Sequence, residues 1–118
     1  MSAHSLSLSL RWMREAFEIV WAKTVWLQCA DERPWLLVDV RKGGEEYGAF
    51  PISTKFYRSG GPYYIIEDKH PDFPATGLKV QSYLFYESII ELGDDEIRRS
   101  MGRLVGSLLA DVKEASGL

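Results

Sequence analysis

Arg33-Pro34-Trp35-Leu36-Leu37-Val38-Asp39-Val40 and Tyr47-Gly48-Ala49-Phe50-Pro51-Ile52-Ser53-Thr54-Lys55 are two short hydrophobic runs, each bordered by polar groups suited to holding phosphate. Lys42-Gly43-Gly44-Glu45-Glu46 breaks the chain between them as a hairpin connection does, so the second run reads as a strand over 46–53. Pro34 has no backbone donor and belongs at the start of its strand or on its solvent side. If the two strands pair, an arginine, two hydroxyls and a lysine converge.

Upstream of this pair, Ile19 to Leu27 is rich in Val, Thr and Trp and reads as a strand, followed by a polar turn from Gln28 to Glu32. Downstream, Lys55 to Pro62 contains Gly60-Gly61-Pro62 and reads as a flexible loop, and Tyr63 to Glu67 as a strand. Lys69 to Thr76, with Pro71 and Pro74, is irregular; Lys79 to Tyr86 alternates as a strand does, and Ser88 to Glu91 starts another. Ile97, Met101, Leu104, Leu108 and Val112 recur at steps of four, three, four and four, which taken alone predicts one long helix from Asp94 onward. Gly102 and Gly106 weaken that uninterrupted helix by roughly 1 kcal/mol each relative to Ala.

At the other end, the Ser-Leu alternation is too short to assign. Beyond it Leu10, Met13, Phe17 and Val20 fall at helical spacing, with Arg11, Arg14 and Glu15 toward water. This predicts a short amphipathic helix at about residues 7–16, capped by Ser7 or Ser9, its apolar stripe packed on the sheet or on a partner. The whole pattern is α+β and mainly β: five or more closely spaced strands forming a twisted, partly closed antiparallel sheet, a C-terminal helix and a short N-terminal helix.

The 118 residues suffice for one domain with a real core, and 46% hydrophobic with 26% charged residues argues against disorder. The net charge of −3 does not by itself advertise nucleic-acid binding. It is unevenly spread, however: residues 33–79 carry seven Lys/Arg against six Asp/Glu, and residues 80–118 four against seven. Any RNA contact is therefore a local patch. A single cysteine, Cys29, cannot close an internal disulfide and fits a reducing cytoplasm; with neither His4 nor His70 adjacent, its expected role is structural. No metal-ligand spacing is present, no apolar run is long enough to cross a bilayer, and Arg11, Arg14 and Glu15 interrupt any secretory segment.

Taken in order, Ile19-Val20-Trp21-Ala22-Lys23, then Arg33-Pro34 before a strand, Pro51-Ile52-Ser53-Thr54 at the end of another, Gly77-Leu78-Lys79 and Gly102-Arg103-Leu104 resemble the MazF/PemK family of toxin–antitoxin endoribonucleases. The resemblance runs from about Glu18 almost to the C-terminus, within one MazF/PemK-like domain over 1–118 of which 1–16 form an N-terminal helical extension. It implies an SH3-like barrel, with a short strand near Arg99 to Leu104 and a helix from about Val105 in place of the long helix. It also implies metal-independent, cofactor-free cleavage of single-stranded RNA or mRNA to a 2′,3′-cyclic phosphate and a 5′-hydroxyl, growth arrest, a homodimer with a groove across two subunits, and a cognate antitoxin whose acidic tail blocks that groove. Trp21, Trp26 and the N-terminal helix are candidate dimer anchors.

Cleavage of this kind needs charge stabilised on the phosphorane and two proton transfers. The resemblance places the catalytic arginine at Arg33, whose fork can grip two phosphate oxygens, and the key hydroxyl at Ser53, with Thr54 next to it. Lys55, Arg58 and Lys79 are candidate RNA contacts, and Phe56 and Tyr57, with Tyr63 and Trp35, candidate base-stacking rings. Alternation puts Trp35 in the core and leaves Phe56 as the exposed platform. Some family members place an acid and a second arginine after the Gly-Leu segment; the corresponding positions here are Ser82 and Val80, which cannot move protons. Asp31 and Glu32 could supply a carboxylate, and His70 reads as a surface residue. The sequence thus supports phosphate gripping better than a complete acid–base pair, and the alternative is a catalytically silent barrel that binds protein or nucleic acid.

Overall fold

The computed structural model describes residues 14–118. Seven strands follow one another: β1 (Glu18–Lys23), β2 (Glu32–Arg41), β3 (Glu46–Ser53), β4 (Tyr63–Ile66), β5 (Ser82–Phe85), β6 (Ile90–Gly93) and β7 (Ile97–Arg103), and the helix α1 (Gly106–Ser116) closes the chain. All ladders are antiparallel, in the order β4-β5-β3-β2-β1-β7 with β6 also on β3, and the sheet does not close into a complete barrel.

β3 is the strand on which the sheet forks. One edge runs along β2 from Arg41↔Glu46 to Trp35↔Pro51; the other pairs Glu46–Ala49 with β6 and then Ile52 and Ser53 with β5. Pro51 falls in the gap between those two ladders, and Pro34 lies one residue beyond the last β2–β3 pair. Both prolines therefore sit where one side of the strand asks for no donor, the place a strand tolerates proline.

Alternation sends side chains to two cores. Ile19, Leu36, Phe50, Ile52 and Leu84 meet Leu108 and Val112 of α1, while Val20, Ala22, Trp35, Leu37, Tyr47 and Leu92 fill the other side with Trp26 and Phe85. A bulge between Leu37 and Asp39 skips Val38 and shifts the parity, so that Val40 packs with Leu37. Trp35 is fully buried, as its alternation predicts.

Four expectations need amendment. β1 ends at Lys23 and not at Leu27, because Trp26 and Cys29 pair across a tight turn in which Leu27 (φ 51°) and Gln28 (φ 63°) are left-handed. The unbroken helix from Asp94 does not form: Ile97–Arg103 is β7, paired to β1, and the helix begins at Gly106, close to the strand-then-helix reading. The proposed helix at 7–16 lies mostly outside the described residues, and its described part, Arg14 to Ala16, is not helical. Trp26 is buried in the core, so it is no surface anchor for a dimer.

The two motif glycines have a steric explanation. Gly77 has φ +73°, and a Cβ on it would overlap the Met101 carbonyl; one on Gly102 would overlap the Ala75 carbonyl. The Phe73–Thr76 turn and β7 therefore meet backbone to backbone. That contact fixes the segment after Gly77 beside the ends of β2 and β3.

Candidate phosphate-binding groove

A groove of about 800 Å³ opens where β2 begins and β3 ends, floored by the Gly77–Ser82 segment and walled by β1 and β7. Its charged lining residues are Arg33, Lys55, Lys79 and Arg99 against Asp31 and Glu32. Cations outnumber carboxylates there although the chain is acidic overall.

Arg33 enters β2 opposite Ala22, whose small side chain leaves it room. It is only 8% exposed. Its guanidinium carbon stands 5.0 Å over the Trp26 ring, and Trp26 is braced by Tyr57 at 5.4 Å, edge-on, and Phe85 at 5.1 Å. A cation–π contact in a desolvated place is worth about 2 kcal/mol, and it also fixes the plane of the fork. The guanidinium is otherwise poorly matched. Asp31 Oδ2 lies 3.8 Å from one terminal nitrogen and is itself mostly exposed, and the buried Nε has no hydrogen-bond partner among the described residues. A buried donor without a partner costs about 1–3 kcal/mol, so Arg33 is not placed here to stabilise the fold.

Ser53 ends β3 and is buried; its Oγ accepts the Lys55 amide at 3.0 Å, which turns the chain and leaves the hydroxyl proton free to donate. Thr54 and Lys55 follow, exposed at the groove's mouth. Across from them Lys79 and Val80 are exposed, while Ser82 is buried and donates to the Val80 carbonyl at 2.9 Å. Neither Ser82 nor Val80 offers a titratable group, as the sequence indicated.

Of the residues singled out from sequence, the groove gathers Arg33, Ser53, Thr54, Lys55, Tyr57 and Lys79. It does not include Phe56 or Arg58: Arg58 lies in the adjoining Arg58–Gly60 turn, and Phe56 is exposed beside it. His70 also stands elsewhere, its Nδ1 accepting the Asp72 amide at 3.0 Å and its Nε2 3.4 Å from Ser107 Oγ. With Asp72 also near, this looks like a Ser–His–Asp set. An Nδ1 that already accepts a hydrogen bond from the Asp72 amide leaves Nε2 to carry the ring N–H, so His70 is not arranged to take a proton from Ser107 there. Asp72 instead accepts from the Leu108 amide at 3.3 Å and caps α1.

Sequence reasoning missed Arg99. Two bulges in the β1–β7 ladder, skipping Met101 and Arg98, bring Arg99 opposite Trp21, with its guanidinium 5.6 Å from the Trp21 ring. Both line the groove, as does Met101. Only the Arg98-Arg99 doublet hinted at this, and its register could not be read without the bulges.

Among the described residues no group of histidine, cysteine or acidic side chains could hold a metal ion, and no helix is long and apolar enough to cross a membrane. Neither the protein-family models nor the sequences of curated proteins match this chain. Solved structures do. An endoribonuclease in complex with its cognate antitoxin, from a mycobacterial species, superposes with a TM-score of 0.60 over 86% of this chain and 87% of that one, at 14% identity. The Mycobacterium tuberculosis toxin MazF-mt6 superposes with a TM-score of 0.62 over 85% of this chain and 92% of its own, at 19% identity. The chain therefore has a MazF-like fold, mainly β with one C-terminal helix.

Proposed function

We propose that this protein, as one MazF/PemK-like domain over residues 1–118, is a metal-independent endoribonuclease toxin of a type II toxin–antitoxin system, acting in the cytoplasm on single-stranded RNA. The observation that carries the reading is the groove itself: on a MazF-like fold, a buried arginine whose Nε has no partner among the described residues shares the groove with Ser53, Thr54, Lys55 and Lys79. In the reaction the RNA 2′-oxygen gives up its proton and bonds to phosphorus, the bond from phosphorus to the 5′-oxygen breaks, and that oxygen takes up a proton. The products are a 2′,3′-cyclic phosphate and a 5′-hydroxyl. Arg33 and the Ser53 hydroxyl donate to the phosphorane oxygens, where charge develops; Thr54, Lys55, Lys79 and Arg99 hold the flanking backbone. A homodimer would extend the groove across two subunits, and the partner is an antitoxin whose acidic chain competes for the same cations.

Two observations favour a second reading, a silent binding module. The positions after Gly77 carry Val80 and a Ser82 whose hydroxyl is engaged by a carbonyl, and the nearest carboxylate to Arg33, Asp31, is a loose contact at 3.8 Å. The deciding experiment is incubation of the protein and of Arg33→Ala with a long single-stranded RNA in EDTA, followed by mapping of product ends. Discrete cuts with 5′-hydroxyl ends, absent with the variant, establish the nuclease. Intact RNA with a folded protein, bound with a steep salt dependence, establishes the binding module.

A further inference from the structure

Phe56 lies outside the groove, yet half its surface (50%) is exposed and it does not stand alone. Its ring is 5.2 Å from Tyr63 and 5.7 Å from Tyr83, and Tyr63 is 5.4 Å from Tyr83, so three tilted or edge-on rings close a triangle. Phe85, fully buried, supports it from 6.2 Å and 6.3 Å under Tyr63 and Tyr83. Tyr63 is 42% exposed and belongs to β4, the last strand of the sheet on this side. A cluster built only to pack would be covered. This one is anchored from below and open above.

Its place relative to the groove is set by strand register. Ser53 of β3 and Tyr83 of β5 are direct partners, and direct partners project their side chains from the same face with Cβ atoms about 4.5–5.5 Å apart. Ser53 and Lys55 line the groove, and Phe56 is the next residue in the chain. The aromatic triangle therefore begins where the groove ends. The stretch from Ser53 to Pro62 carries Lys55 and Arg58 and no carboxylate. Neither cation forms an ion pair among the described residues.

We propose that Phe56, Tyr63 and Tyr83 form a stacking subsite for an unpaired nucleobase adjacent to the phosphate held in the groove. The inference rests on the nucleic-acid reading of that groove and adds to it the element that separates single-stranded from paired RNA. A duplex keeps its bases stacked inside; only an unpaired strand can lay one on these rings while its backbone follows Lys55 and Arg58. A second copy of the chain is the less fitting occupant, because a two-fold contact through this face would gather the unpaired cations of both copies.

The test uses two fluorescein-labelled single strands of about twelve units: an oligodeoxynucleotide of mixed sequence, which lacks the 2′-hydroxyl and is not cut, and an abasic strand with the same phosphates. Binding is read by anisotropy at one salt concentration. Stacking makes the base-bearing strand bind roughly 5- to 150-fold tighter per base engaged. Phe56→Ala and Tyr63→Ala should collapse that ratio toward one while leaving affinity for the abasic strand unchanged, and Phe56→Trp should keep it. Equal binding of both strands by the unmodified protein overturns the proposal, as does a Phe56→Ala variant that weakens both alike. A dimer that becomes monomeric on Phe56→Ala, seen by sedimentation at the assay concentration, assigns the face to a second copy and also overturns it. If the abasic strand binds and Arg33-dependent cleavage persists while the ratio is one, this inference alone falls. If neither strand binds and RNA stays intact, the groove's assignment falls with it.

Discussion

Arg33→Met should make the protein more stable and inactive at once. The substitution keeps an unbranched apolar stem under Trp26 and removes the charge. Two favourable terms are lost: the cation–π contact at 5.0 Å, worth up to about 2 kcal/mol, and the ion contact with Asp31 at 3.8 Å. Because Asp31 is 73% exposed, solvent screening limits the second to about 0–1 kcal/mol. Against these stands an arginine 8% exposed whose buried Nε is unpaired among the described residues. Relieving that one unpaired donor, at about 1–3 kcal/mol, together with the desolvation of a buried charge, outweighs both losses. A methionine sulfur over the indole returns about 0.3–1.5 kcal/mol as well. The net expectation is about 1–3 kcal/mol of added stability, which at about 4 °C per kcal/mol for a domain of this size is a clear rise in Tm. Calorimetry measures it, and the RNA assay in EDTA should show no cuts. A loss of more than about 1 kcal/mol would refute the reasoning, because Arg33 would then be a structural residue satisfied by its own neighbours.

Trp26→Phe leaves a ring for Tyr57 and Phe85 to hold but a weaker and smaller platform for Arg33, so kcat should fall about 10- to 100-fold with KM nearly unchanged, since misplacing a catalytic group by about 1 Å costs on that scale; an unchanged kcat would show that Trp26 does not position the fork. Gly102→Ala drives a Cβ into the Ala75 carbonyl, a backbone contact with no side chain to yield, and should cost about 3 kcal/mol or more in urea melts; a cost under about 1 kcal/mol would mean that β7 is not seated on the Phe73–Thr76 turn. On the far side of the sheet, the hydrogen bond with Glu46 holds the Glu91 carboxyl above its usual range and Glu46 below its own. Glu91 therefore contributes stability at acid pH that is lost as pH rises through its raised value. Glu91→Gln, which keeps a donor for Glu46 without the charge, should show a small rise in Tm at about pH 7 that disappears near about pH 4; a rise of equal size at both would remove the titration from the explanation.

What the sequence disclosed and what it concealed divide along a physical line. Local chemistry was legible: Gly43-Gly44 marks the β2–β3 connection, alternation buries Trp35, and a polar step after Ile52 ends β3 at Ser53. From these, with β2 paired to β3, Arg33, Ser53, Thr54 and Lys55 could be put near one another, and the groove contains all four. Register defects were not legible. The left-handed Leu27 and Gln28 form a turn without a glycine to announce it, and that turn carries Trp26 from an expected strand into the core under Arg33. The bulges that aim Arg99 at Trp21 leave no compositional trace either, since a bulge is a property of two strands and neither sequence states it. The same holds for the aromatic triangle: Phe56, Tyr63 and Tyr83 are spread over twenty-eight positions and meet only because β4 pairs with β5 and β5 with β3. The groove's polar side chains come from strand ends and turns, which sequence marks, whereas the rings that hold Arg33 and flank the groove come from long-range pairing, which it does not. The polar ends of β2 and β3 are thus written locally in this chain, while the orientation of Arg33 and the meeting of the three rings depend on how the sheet is assembled.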